Sequence, residues 1–315
     1  MSATCGPPAR ITERLDALRR VEGATRSPVP PPPRSAKIEL TSRCNYACRF
    51  CASRLRGQAQ RDMAWPVFTH IARELRDVGV TQLGLFYIGE SFLHPRLVDA
   101  VRYAKQTLGF PYVFLTTNGS LADRARVHGL LDAGLDSLKF ALNFPSGAAL
   151  ARTADTRAEH FDAVVRNVLD ACAARDAAER RTGRRCTVSA SSLRFDDEQE
   201  ERMRVLLDAL RPHLDQHYWL PPHGRAATWR CDGESDAPAL FRKPLPCWPL
   251  FTEAHVTVDG RLSACGLDHS PRFDMGDVAD RPFIEAWHGT AFQRLRAAHL
   301  AGDVQDTCCA DCIGY

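Results

Sequence analysis

Between Lys37 and Leu220 one pattern recurs: a short apolar run, then a longer stretch with apolar residues every three or four positions. The runs, read as strands, are Ile38–Leu40, 83–88, 112–116, 138–142, Thr187–Leu193 and 217–220. Helices are expected at 65–78, 96–108, 123–133, 158–181 and 198–210. In the first, Phe68, Ile71, Ala72 and Leu75 share a face. Pro95 suits the first turn of the second, and Gly134 stops the third. Strands alternating with helices of this length build βαβ units and a parallel sheet. Six units are too few to close an eight-stranded barrel. In such sheets ligands gather beyond the carboxyl ends of the strands, which makes the residues after each strand the ones to inspect.

The balance of residues narrows the function. The chain has 315 residues, 44% hydrophobic and 25% charged, as an ordinary globular protein has. A net charge of +3 gives no concentrated basic face, so nucleic acid is not expected as a partner. No apolar run approaches the roughly 18 residues that span a bilayer, and no signal-peptide core opens the chain. Twelve cysteines without an export signal argue for metal ligation over disulfides, and for a cytoplasmic location. Residues 1–35 read as a flexible Pro-rich leader, with one short helix at 9–21 and the extended run Pro28 to Pro33. The folded units are then 36–221, a linker at 222–246, and a C-terminal module at 247–315.

Immediately after the first strand stand Cys44, Cys48 and Cys51, a C-x3-C-x2-C spacing. Three thiolates on a tight loop suit three irons of a four-iron cluster, leaving the fourth iron open. A zinc knuckle or buried free thiols are the alternatives, but closed tetrahedral zinc asks for a fourth nearby ligand. With Phe50 just before the last cysteine, the loop resembles the signature of the radical S-adenosylmethionine (radical SAM) superfamily. The resemblance implies an α/β partial (β/α)6 TIM-like barrel, a 4Fe-4S cluster on the three cysteines, and SAM bound at its open iron. It implies an external one-electron donor such as flavodoxin or ferredoxin. It also implies roles after later strands. Gly89 and Glu90 match the family's Gly-Gly-Glu, which holds the SAM amino group, although Ile88 replaces the first glycine. Thr117-Asn118-Gly119 matches a Thr-Asn-Gly turn. Where relatives show Ser-Leu-Asp the chain has Ala141-Leu142-Asn143, and Asn143 is a candidate for a ribose hydroxyl. Arg152 is a candidate for the SAM carboxylate, with a solvated surface arginine as the alternative.

The C-terminal module carries the second set. A hairpin at 254–264, turning at Asp259-Gly260, lies between Cys247 and Cys265; a helix is expected at 282–300, and Cys309 and Cys312 end the chain as C-x2-C. Four converging thiolates fit a fully ligated four-iron cluster or tetrahedral zinc. Here the resemblance is to the twitch form of the SPASM extension, as in deoxy-scyllo-inosamine dehydrogenases and aminoglycoside epimerases. It implies a second, auxiliary 4Fe-4S cluster on Cys247, Cys265, Cys309 and Cys312. Cys172 and Cys186 read as small buried hydrophobes. Cys231 or Cys308 is a candidate hydrogen donor, against the reading of an incidental thiol.

The expected function is radical-initiated oxidation or epimerisation of a small polar molecule: an aminocyclitol, aminoglycoside or nucleoside sugar in natural-product biosynthesis. The short N-terminal stretch, with no visible peptide-recognition domain, favours that substrate. A maturase of ribosomal peptides is the alternative, and a non-enzymatic zinc-binding module the second alternative.

Overall fold

A computed structural model describes residues 10–51, 60–220, 229–230, 233–234, 245–267 and 271–310. Six strands follow one another in parallel: β1 (Ser35–Ile38), β2 (Gln82–Gly84), β3 (Tyr112–Thr117), β4 (Ser137–Ala141), β5 (Thr187–Leu193) and β6 (Gln216–Leu220). Helices connect them: α2 (Trp65–Asp77), α3 (Leu97–Arg102), α4 (Arg124–Ala133), α5 (Gly147–Ala154), α6 (His160–Thr182) and α7 (Asp197–Leu210). The sheet is a partial, barrel-like one, as the alternation of the sequence demands. A two-stranded ribbon follows, β7 (Trp229–Arg230) against β8 (Gly233–Glu234).

Side-chain alternation along each strand sorts two faces. Ala36 and Ile38 of β1, Val113 and Leu115 of β3, and Leu138 and Phe140 of β4 belong to the main apolar core, which also takes in Phe68, Ile71, Ala72 and Leu75 of α2. The residues between them, Lys37 and Lys139 among them, turn to the other face and line an interior chamber. The barrel is therefore apolar beneath its helices and mixed within, where Lys37, Lys139 and Glu253 stand among Phe86, Phe114 and Tyr112.

The C-terminal module does not stand apart. After α8 (Pro249–Thr252), strand β9 (Glu253–Val256) pairs in parallel with β1 on the edge opposite β2. Strands β10 (Arg261–Ser263) and β11 (Asp274–Asp277) continue outward, antiparallel, to give one nine-stranded sheet. Gly260 takes φ 72° at the expected turn, and a Cβ there would lie 2.7 Å from Cβ of Ala279. The single helix expected at 282–300 is two, α9 (Phe283–Trp287) and α10 (Thr290–Ala301), parted at Gly289. Strand β11 and helix α5 were not legible: both are short, and neither carries a distinct apolar period.

The short helix expected at 9–21 is present in the leader, and it is packed on the rest of the chain. Helix α1 (Ile11–Arg19) buries Leu18, whose carbonyl accepts the Thr252 hydroxyl at 2.7 Å. The proline run is extended, so its carbonyls lack partners of their own. Trp287 Nε1 donates to Pro31 (3.1 Å), His288 Nε2 lies 2.8 Å from the Pro30 carbonyl, and Arg296 Nη1 donates to Pro28 (3.3 Å). Arg296 is itself buried between the rings of Trp287 and Phe292, and burial holds its guanidinium down at about 9.

Candidate active site

The chain leaves β1 into the three-cysteine loop, which is tied at both ends. Arg43 grips Asp62 with two bonds, Nε to Oδ1 at 2.9 Å and Nη2 to Oδ2 at 2.7 Å, and Nη2 also reaches the Leu93 carbonyl. Further on, the amides of Ala47 and Arg49 donate to the carbonyls of Ala154 and Thr153, the last turn of α5. These are orphan carbonyls of a helix end. The helix that the sequence did not disclose is thus the one that seats the cysteines.

Cys44, Cys48 and Cys51 are each half-buried and line one open cavity enclosing about 920 Å³, with Phe50, Glu90 and Asn143 also on its wall. Burial pushes the Cys44 thiol up to about 12, against hydrogen bonds to its sulfur from the Tyr46 backbone and the Asn118 side chain. Donors aimed at a sulfur suit a thiolate bound to iron, and tune such clusters. Phe50 packs on Phe144 and Phe195, at 6.2 and 5.2 Å between ring centres.

Gly89 is required by space. A Cβ there would stand 2.0 Å from the Thr41 carbonyl oxygen and 2.8 Å from that of Arg43. The next amide, of Glu90, donates to Arg43 O at 2.8 Å, so the end of β2 lies directly on the start of the cysteine loop. The Glu90 carboxylate is 2% exposed and accepts from the Phe92 amide (3.1 Å), the Thr117 hydroxyl (2.8 Å) and the Asn118 amide (2.8 Å). Burial pushes its carboxyl up, against the pull of those donors. Glu90 therefore locks the end of β3 to that of β2. Asn118 Nδ2 donates to Asn45 (3.0 Å), while its Oδ1 accepts from the amide and hydroxyl of Ser120 (2.9 and 2.6 Å). Asn143 Oδ1 accepts the Leu193 amide at 2.9 Å, tying β4 to β5. Arg152 is exposed and lines a smaller cleft with Asp196, Glu198 and Arg202, outside the main cavity.

In the second set, Cys247 and Cys265 are half-buried and Cys309 is buried. The Cys309 thiol is pushed up by a hydrogen bond with Cys308, by burial, and by nearby Cys265 and Cys247. Cys308, left out on spacing, thus stands among the group. Cys231 and Cys312 lie outside the described residues. Among the described residues no three His, Cys, Asp or Glu side chains are closed up as a metal-ion site.

One residue escaped sequence reasoning. Tyr87 lines the main cavity, its hydroxyl donates to the Cys265 carbonyl, and its ring stacks on His255 at 5.1 Å. It joins the two cysteine sets physically. Its only signal was its place just before Gly89-Glu90.

The three cysteines on one cavity, with strand ends gathered round them, fit an open four-iron cluster and its co-substrate. A family model described as the radical SAM superfamily matches residues 38–176, and one described as an iron-sulfur cluster-binding domain (SPASM) matches 247–313. A PqqA peptide cyclase of Xanthomonas axonopodis pv. citri is 31% identical over 319 aligned residues, covering 89% of this chain and 81% of that one. The chain belongs to the radical SAM superfamily. Its fold is shared with BtrN in complex with AdoMet and 2-DOIA (TM-score 0.53, 15% identity, 85% of this chain and 87% of that one). It is shared also with SuiB of Streptococcus suis bound to precursor peptide SuiA (TM-score 0.60, 12% identity, 90% and 68%). Other curated relatives match over shorter stretches: the chain spans 38% to 42% of the length of two GTP 3',8-cyclases.

Membership in the radical SAM superfamily implies a 4Fe-4S cluster and SAM. The small-molecule partner expected from the sequence is overturned here. The relative aligned along both units is named for a peptide, and SuiB holds one. No helix among the described residues is long and apolar enough to cross a membrane.

Proposed function

We propose that this radical SAM enzyme modifies a peptide, acting as a maturase of a ribosomally made precursor. The observation that carries the reading is the peptide cyclase matched over 89% of this chain, through both the barrel and the C-terminal module. Cys44, Cys48 and Cys51 would hold a cluster that, once reduced by an external donor, would supply the electron that splits SAM into methionine and a hydrogen-abstracting 5′-deoxyadenosyl radical. The protein's own part is to hold and shield. Phe50, Phe144 and Leu150 form an apolar wall beside the cysteines, which keeps water from a radical. Glu90 and Asn118 fix the strand ends on which SAM would rest. In this reading Cys247, Cys265 and Cys309, with Cys312 or Cys308, would hold an auxiliary cluster able to accept the electron that the substrate radical loses, with a proton, as it becomes the oxidised product.

The test is incubation of the anaerobically reconstituted enzyme with SAM, dithionite and a mixed library of synthetic peptides, read by mass spectrometry. Ring closure or cross-linking removes two hydrogens from one peptide, with 5′-deoxyadenosine formed alongside. Deoxyadenosine formation that no peptide stimulates, with every peptide mass unchanged, overturns the reading.

A further inference from the structure

Beneath the cysteine cavity, at the amino-terminal mouth of the barrel, lies a second, partly open chamber with about 560 Å³ of empty space. Gln82 and Tyr112, first residues of β2 and β3, mark its level, and Ile11, Leu15 and Leu18 of α1 roof it. Phe86 and Thr116 line both chambers, so the two share a wall.

The charges in this chamber do not balance. Among the described residues that line it, Glu253 is the one carboxylate, and it already has partners: Lys37 Nζ stands at 2.7 Å and His255 Nε2 at 2.9 Å on Oε1, and the Ser35 hydroxyl at 3.2 Å on Oε2. Two cations are left over. Lys139, on the inner face of β4, makes no hydrogen bond or ion pair among the described residues; the ring of Tyr218 lies 5.9 Å from its Nζ. Arg14, on α1, lies 3.0 Å from the centre of the Tyr112 ring, and its Nη2 is buried with no hydrogen-bond partner among the described residues. Asp136 favours the Arg14 charge without a bond to it; its Oδ2 is held by Lys105 at 2.8 Å and the Val113 amide at 2.7 Å. A cation held partly out of water without an opposite charge is disfavoured unless something neutralises it. Burial, then Lys37, holds the Lys139 ammonium down at about 8, against the pull of Glu253.

We infer that this chamber is a second binding site, which takes a carboxylate or small oxyanion between Arg14 and Lys139. The inference rests on the chamber's own geometry and stands whether or not the substrate is a peptide. The anion comes either from solution or as an acidic side chain reaching through the shared wall, and the same assay separates the two.

The assay is the thermal midpoint of the reconstituted holoprotein without SAM. Sodium acetate is compared with sodium chloride at equal ionic strength. A pentapeptide with a central glutamate is compared with its glutamine counterpart. Acetate at about ten times its dissociation constant is expected to raise the midpoint by about 2 °C or more over chloride. The increment should vanish in Lys139→Met, which removes a charge with no ion-pair partner among the described residues and is expected to fold, and shrink in Arg14→Gln, on the outer helix. An acetate increment identifies a free anion. An increment from the glutamyl peptide alone identifies a substrate side chain. No increment from either, or the same increment in both variants as in the wild type, overturns the inference.

Discussion

At the scale of single residues, function rests on groups that have no second use. Cys44→Ala removes one of three thiolates from a loop otherwise held by backbone bonds to α5, so the fold should survive while SAM cleavage stops. Deoxyadenosine formation at the wild-type rate would sink the cluster assignment. His217 offers a pH test away from both cysteine sets. Burial, then Arg211, holds its imidazole down at about 4, and Nε2 lies 3.0 Å from the Ser192 hydroxyl. Between about 4 and the ordinary 6.5 the unfolded chain binds a proton that the native one does not. Its stabilising part is therefore whole above pH 6.5 and lost as pH falls toward 4. The pH dependence of thermal midpoints should flatten in His217→Asn by up to about one proton; identical slopes would show that another group carries it. At this scale the sequence disclosed the cysteines, Gly89 and Glu90, because their spacing survives without the fold. It did not disclose Tyr87, Lys139 or Arg14, whose meaning comes from neighbours 79 to 178 residues away.

At the scale of elements, the site is a set of strand ends pinned to one another. Gly89→Ala drives a methyl group into the Thr41 carbonyl and pushes β2 off the cysteine loop. A loss of about 3 kcal/mol or more is expected, as a fall in the denaturant midpoint at unchanged slope, together with weakened SAM binding in equilibrium dialysis. A variant within about 0.5 kcal/mol of wild type would mean that the loop yields freely. Long helices and the fully buried β5 were legible because period and length agree there; β5 was expected at 187–193 and lies there. Helix α5 was not, since eight residues such as GAALARTA carry too few turns for a period to declare itself. The break at Gly289 was hidden for a related reason, as apolar residues continue on both sides of it.

At the scale of the whole molecule, two cysteine sets on one sheet predict two clusters. Anaerobic reconstitution should give about eight irons per chain, falling to about four when Cys44, Cys48 and Cys51 are all alanine. About four falling to none would withdraw the auxiliary cluster and the electron acceptor with it. The continuity of the sheet has a consequence in time as well. Strand β1 gains β2 early, but its other edge waits for Glu253, 218 residues after Ser35. At ribosomal speeds that is on the order of ten to forty seconds. Throughout that interval a nascent chain carries its cysteine loop beside a bare strand edge, the kind of surface on which chains aggregate. A gene stopped at residue 245 would make the interval permanent. Its product is expected in the insoluble fraction, and a soluble, monomeric barrel from that gene would show that β1 does not need its late partner.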